Sequence, residues 1–201
     1  MKCKNSLFLF GYLCFVCSSL LAVVPSPQEM QRRDAWLAGQ MTESADPLPF
    51  SFVYDKAASR DLIGSWKISR SREEQEENRS RQVWKALDGQ TGLAVRCEIV
   101  SWRDFPVVEW TLYFQNTSQS DTPILQDILP LDFCWATGKE EKHTLHYSYG
   151  DGRGVESYRP LSMEVPSDQP VVFAPYGGRP TDQNFPYFNL SAPDSGLIAV
   201  V

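Results

Sequence analysis

Apolar and polar residues alternate one by one in three stretches of this chain. Leu93, Val95, Cys97 and Ile99 alternate with Ala94, Arg96 and Glu98. Val108, Trp110, Leu112 and Phe114 alternate with Glu109, Thr111 and Tyr113, and Phe50, Phe52 and Tyr54 alternate with Ser51 and Val53. On a strand successive side chains point to opposite faces, so a period of two gives each stretch one oily face and one wetter face. Turn-forming residues fall between such runs, at Asp88–Gly92, Asn116–Ser118, Gly150–Gly154, Tyr176–Gly178 and Pro193–Gly196. The spacing predicts antiparallel strands joined as hairpins and meanders. No helical period of ten or more residues follows residue 22, which excludes a parallel sheet with crossover helices. The expected fold class is therefore all-β, an antiparallel sandwich or barrel. The eight apolar residues from Leu93 to Phe114 are expected to share one core.

Residues 1–22 carry Lys2 and Lys4, an apolar run from Leu7 through Leu21, and small residues at Ser18, Ser19 and Ala22. This is the layout of a cleaved signal peptide. Gly11, Ser18 and Ser19 interrupt the run, which argues against a spanning helix of roughly 20 apolar residues. The expectation is a secreted or periplasmic protein with no stable membrane anchor. Residues 23–47, rich in Pro, Gln, Ser and charge, read as a linker with a short helix-compatible stretch at Asp34–Met41, and residues 48–201 as the folded sandwich. The chain of 201 residues has a net charge of −6, and its basic residues are scattered among acids. Nucleic acid is thereby excluded as a partner, because a polyanion is bound by clustered Lys and Arg. Cys3, Cys14 and Cys17 belong to the signal, leaving Cys97 and Cys134, for which two buried free thiols are favoured over one disulfide.

Motifs for nucleophilic, phosphate, dinucleotide or zinc chemistry are absent, and no cofactor is expected. His143 and His146 are separated by an odd number of residues, which on a strand places them on opposite faces and makes a shared metal unfavourable. Glycoside hydrolysis takes two carboxylates flanking one bond at about 5 to 10 Å, and nothing in the sequence pairs any two of Asp104, Glu109, Asp127, Asp132, Asp151, Glu156, Asp182 and Asp194. The acidic run between Arg70 and Arg81 reads as a solvated hairpin tip or a short surface helix. Aromatic residues make up 12% of the chain. Trp102 and Trp135 lie beside turns and are the tryptophans expected at the surface, whereas Trp110 falls on an oily face. The segment Tyr176–Leu190 joins a glycine pair to Arg179, Asp182, Asn184, Phe185 and Tyr187. That mixture suits a sugar or a docking partner.

The blocks Gly92–Asn116, Asp121–Leu125 and Gly177–Leu190, in that order, resemble the N-terminal domain of the α-galactosidase-like proteins of glycoside hydrolase family 36. The resemblance runs from Leu48 to Val201. It implies a β-supersandwich akin to the galactose mutarotase fold, followed by a (β/α)8 barrel that carries the catalytic aspartates. A barrel of that kind needs about 250 residues, so the resemblance assigns no catalytic or metal-binding residue to this chain. It implies a non-catalytic sandwich whose partners are the barrel and, through the parent enzyme, an α-galactoside-type carbohydrate. Trp135, Arg179, Asp182, Asn184, Phe185 and Tyr187 become the expected sugar-binding or barrel-docking residues. Gly196–Val201 is an apolar strand with no polar tail, which leads to the further expectation of a sandwich incomplete at its C-terminus. A free-standing carbohydrate-binding module or a structural extracellular sandwich are the alternatives.

Overall fold

A computed structural model of the chain describes residues 23–40, 47–71, 74–135, 142–152, 154–175 and 177–201. The expected signal peptide, residues 1–22, lies outside them. Twelve strands in three antiparallel sheets, with only short helices beside them, form the regular structure of this part, so the all-β, sandwich-like class expected from the alternation is the one observed. Among the described residues no helix is long and apolar enough to cross a membrane.

The largest sheet is a meander. Strands β5 (Arg79–Leu87), β6 (Leu93–Trp102) and β7 (Val108–Asn116) pair in sequence, with β3 (Lys67–Arg70) beside β5. Trp84 faces Cys97, and Cys97 faces Leu112. The β5–β6 turn is built by Asp88, whose carboxylate accepts from Gln90 N at 2.9 Å and from the Thr91 hydroxyl at 2.6 Å. Gly92 there has φ +83°, a left-handed conformation that costs glycine nothing. The acidic run is a hairpin tip, as expected: β4 (Glu74–Gln75) pairs with β5, and Glu76 N donates to Arg79 O at 2.9 Å.

A second layer lies across the oily face of this meander. Strand β1 (Ser51–Tyr54) pairs with β2 (Ala57–Ala58) on one side and β8 (Leu125–Leu129) on the other. The two-residue turn Asp55–Lys56, with φ 49° and 65°, matches the twist a tight hairpin needs. Below β2, α2 (Ser59–Leu62) and a single 3₁₀ turn (Ile63–Ser65) carry the chain down to Trp66. Phe50 meets Trp84 edge-on at 5.8 Å, and Phe52 meets Phe114 edge-on at 5.3 Å. The core is Phe50, Phe52, Tyr54, Ile63, Trp66, Trp84, Ala86, Leu93, Val95, Cys97 and Ile99, with Val108, Trp110, Leu112 and Phe114 packed on its margin. The eight residues expected to point inward all do so.

Depth within the core departs from expectation. Trp84 is fully buried, while Trp110 is only half-buried. Strand β7 is the edge of its sheet, and its apolar face is only partly covered. The Trp110 indole N–H donates to Pro130 O at 2.7 Å and its ring stacks on Trp36 at 5.9 Å.

Part of the segment read as a linker is helical. Helix α1 spans Pro27–Gly39, correcting the short stretch expected at Asp34–Met41; residues 41–46 lie outside the described part. Ser26 and Glu29 form a reciprocal capping box with Pro27 in the first turn, a strong local start signal. The Ser26 backbone N–H and hydroxyl, with Arg32 nearby, pull the Glu29 carboxyl below its ordinary range. The helix has little apolar periodicity because it docks by few contacts. Leu37 touches the core, Trp36 rests on Trp110 and Phe133, and Arg33 donates to the carbonyls of Trp102 and Phe105.

Neither Cys97 nor Cys134 is in a disulfide; Cys97 is buried and Cys134 exposed, which corrects the expectation that both thiols are buried. Desolvation pushes the Cys97 thiol up to about 12, and a thiol held protonated is a poor nucleophile. At pH 8, alkylation located by mass spectrometry is expected at Cys134 and not at Cys97 until the protein unfolds. The stability consequence has a defined sign. Once pH passes about 9 the unfolded chain releases this proton and the folded one keeps it, so stability falls as pH rises from about 9 towards 12.

Candidate functional site

The third sheet has the order β10 (Pro160–Glu164), β9 (Thr144–Ser148), β11 (Tyr187–Ala192), β12 (Ser195–Val200). Its strands also alternate. Leu145, Tyr147, Leu161, Met163, Phe188 and Leu190 are buried or half-buried, and Phe173 packs on Tyr147 at 4.9 Å and on Phe188 at 5.1 Å. The opposite face carries His146, Ser162 and Asn189 on β9, β10 and β11 and is apolar on β12, where Ile198 and Val200 stand across from Asn189 and Tyr187. Cross-strand register sets His146 between Ser162 and Asn189, and Ser148 beside Pro160. With Tyr187 these side chains line a shallow groove of about 370 Å³.

The groove offers an imidazole, an amide, hydroxyls and one phenol on rigid strands. His146 Nε2 lies 3.2 Å from Ser191 Oγ, whose own proton is directed to Thr144 O at 3.2 Å. Ser191 Oγ is thereby left to accept from the imidazole. Such a set can hydrogen-bond a ring of hydroxyls and lay an aromatic face against its apolar side. Among the described residues no carboxylate lines the groove, and Glu164 at the end of β10 is ion-paired with Lys142 at 3.0 Å. No three His, Cys, Asp or Glu among the described residues sit together as a metal site.

The loop expected to carry function runs into this groove. Gly177 and Gly178 turn with φ 61° and 74°. Asp182 N donates to Arg179 O at 3.4 Å, and Asn184 Nδ2 donates to Ala174 O at 2.8 Å. The loop is clamped onto Gly150–Asp151: Gly150 N donates to Gln183 O at 3.0 Å and Asp151 N to Thr181 O at 2.9 Å. Phe185 sits edge-on to Tyr158 at 5.8 Å, and two residues later β11 begins at Tyr187, which is 38% exposed.

The expected residues therefore divide. Arg179, Asp182, Asn184 and Phe185 share one clamped loop, and Tyr187 belongs to the groove beyond it. Of these, Asn184 and Phe185 are occupied in building the loop. Trp135 is half-buried and meets His143 edge-on at 5.6 Å; no contact among the described residues joins it to the loop. Trp102 is half-buried as well, its indole N–H donating to Glu109 at 3.0 Å. Ser162 is a groove residue that reading the sequence does not single out; His146 is weighed there only as a metal ligand, and Asn189 lies within the Tyr176–Leu190 segment without a role. A period of two in Thr144–Ser148 and Pro160–Glu164 places His146 and Ser162 on polar faces, but only the strand order brings them together. No family model, curated protein or solved structure matches this chain.

Proposed function

We propose that this chain is the non-catalytic N-terminal sandwich of a secreted α-galactosidase-type glycoside hydrolase. It supports a (β/α)8 barrel and contributes one rim of the sugar pocket. The polar groove of His146, Ser162, Tyr187 and Asn189, next to the clamped loop of Arg179 and Asp182, carries the reading, because it supplies sugar-binding groups and its lining, among the described residues, holds no carboxylate pair. The antiparallel sheets agree with the supersandwich that the family resemblance implies. Strand β12 is a sheet edge with Ile198 and Val200 57% and 69% exposed, an apolar border on which a further domain can rest. The same groove also favours a second reading, a free-standing carbohydrate-binding module. The two differ in whether a barrel accompanies this sandwich in the parent protein, which the mass and peptide map of the native protein decide.

Purified chain incubated with an aryl α-galactoside is expected to release no phenol. Hydrolysis abolished by a substitution within residues 48–201 would place the catalytic groups here and overturn the assignment.

A further inference from the structure

The oily face of the β5–β6 pair changes character at one end. Trp84 and Ile99 are buried, but the next inward positions along the two strands are Gln82, Ser80 and Ser101. The Ser80 and Ser101 hydroxyls meet at 2.7 Å. Arg70 of β3 extends the polar patch, helix α1 roofs it with Arg33 and Leu37, and Gln75 with Arg103 closes the mouth, leaving a cleft of about 580 Å³.

Three guanidiniums line this cleft in a chain whose net charge is −6. Arg33 is balanced by Asp34 at 2.6 Å. Arg70 is held by a neutral amide, its Nε 3.0 Å from Gln82 Oε1, and Arg103 donates to the Gln75 amide oxygen. Among the described residues neither Arg70 nor Arg103 has a carboxylate partner. A guanidinium is a rigid fork matched to a carboxylate, and two of them oriented by amides form a receptor already assembled. The remaining lining includes the Ser71, Ser80 and Ser101 hydroxyls, which suit sugar hydroxyls, with Ala38, the Asp34 side chain and the backbone of Trp102; the Trp102 ring itself is held on the other face of the sheet by Glu109 and Arg79. The volume falls within the usual range for small-ligand sites, about 300 to 1,000 Å³, and a bare inorganic anion leaves most of it empty.

We infer that this cleft binds a carboxylate-bearing hexose, a hexuronate, with its carboxylate on Arg70 and Arg103 and its hydroxyls on Ser71, Ser80 and Ser101. The site is separate from the groove of Tyr187 and independent of the hydrolase assignment. Calorimetric titration of the whole chain with galacturonate, galactose and inorganic sulfate at low ionic strength tests it. Galacturonate is expected to bind at least about tenfold more tightly than galactose or sulfate, as befits a charge-assisted pair. Arg103 lies on an exposed turn, so Arg103→Gln keeps the fold, checked by circular dichroism, and is expected to weaken galacturonate about tenfold. Tyr187→Ala is expected to leave galacturonate binding unchanged. No galacturonate binding, or galactose binding as tightly, removes the carboxylate as the recognised group. Sulfate binding as tightly removes the sugar. An unchanged Arg103→Gln affinity, or a loss in Tyr187→Ala, places the ligand elsewhere.

Discussion

Trp84→Ala lowers the stability of the folded chain by about 3 to 5 kcal/mol, the range found when a buried large aromatic is truncated in a core. Trp84 is 0% exposed and is the largest fully buried side chain. It lies on a central strand between β3 and β6 and takes the edge of Phe50 at 5.8 Å, so its removal leaves a cavity that both layers line. Neither layer can collapse into that space without breaking the pairing of the other. Trp110→Ala costs less, about 1 to 2 kcal/mol, because the ring is half-buried on an edge strand and the lost area scales the loss. Urea unfolding of the two variants beside the parent measures the order. Trp110→Ala as damaging as Trp84→Ala would mean that β7 is an inner strand.

Gly150→Ala disrupts the loop that leads into the groove. A Cβ at Gly150 would fall on the Thr181 carbonyl oxygen and 2.7 Å from Asn184 N. Both are backbone atoms, so no rotamer change relieves the clash and the loop must lift away. Lifting it breaks the bonds from Gly150 N to Gln183 O and from Asp151 N to Thr181 O. With each of the two net bonds contributing about 1 kcal/mol and overpacking costing about 1 to 3, the expected loss is about 3 to 5 kcal/mol. It appears first as lost hydrogen-exchange protection of the Asp151 amide. Gly89→Ala is the control: a Cβ there meets nothing within 4 Å, and the change is expected to stay within about 0.5 kcal/mol. Equal effects at the two glycines would show that the loop does not rest on Gly150.

The strands of the core were legible because a period of two records which face a residue takes. It does not record how deeply that face is covered. Leu93 to Ile99 and Val108 to Phe114 show equally clean alternation, yet the first group is buried and the second half-buried, a difference set by strand order. Helix α1 was legible only in part, as a short stretch at Asp34–Met41, because its stability comes from the Ser26–Glu29 cap and a few long-range contacts of Arg33 and Trp36, with no apolar stripe to count. The cleft beneath it did leave a trace. Ser80 and Gln82 occupy the same parity as Trp84 and Ala86, and Ser101 the same parity as Ile99, so the oily face stops where the polar one begins. The groove left less, since His146 and Asn189 become neighbours only through the pairing of β9 with β11. Arg179 to Phe185 were found by composition, which identified a loop of unusual chemistry without saying which of its side chains are spent in holding its shape.

The proposal as a whole turns on whether the polar face of β9, β10 and β11 touches a galactoside. Titrating the isotopically labelled chain with methyl α-galactoside, and following amide shifts by nuclear magnetic resonance, asks this directly. The expected result is weak, saturable shifts confined to His146, Ser162, Tyr187, Asn189 and the adjoining loop, with no free galactose appearing in the tube. No shifts at saturating sugar, shifts clustered on another face, or galactose released during the titration would each contradict a non-catalytic rim at this groove.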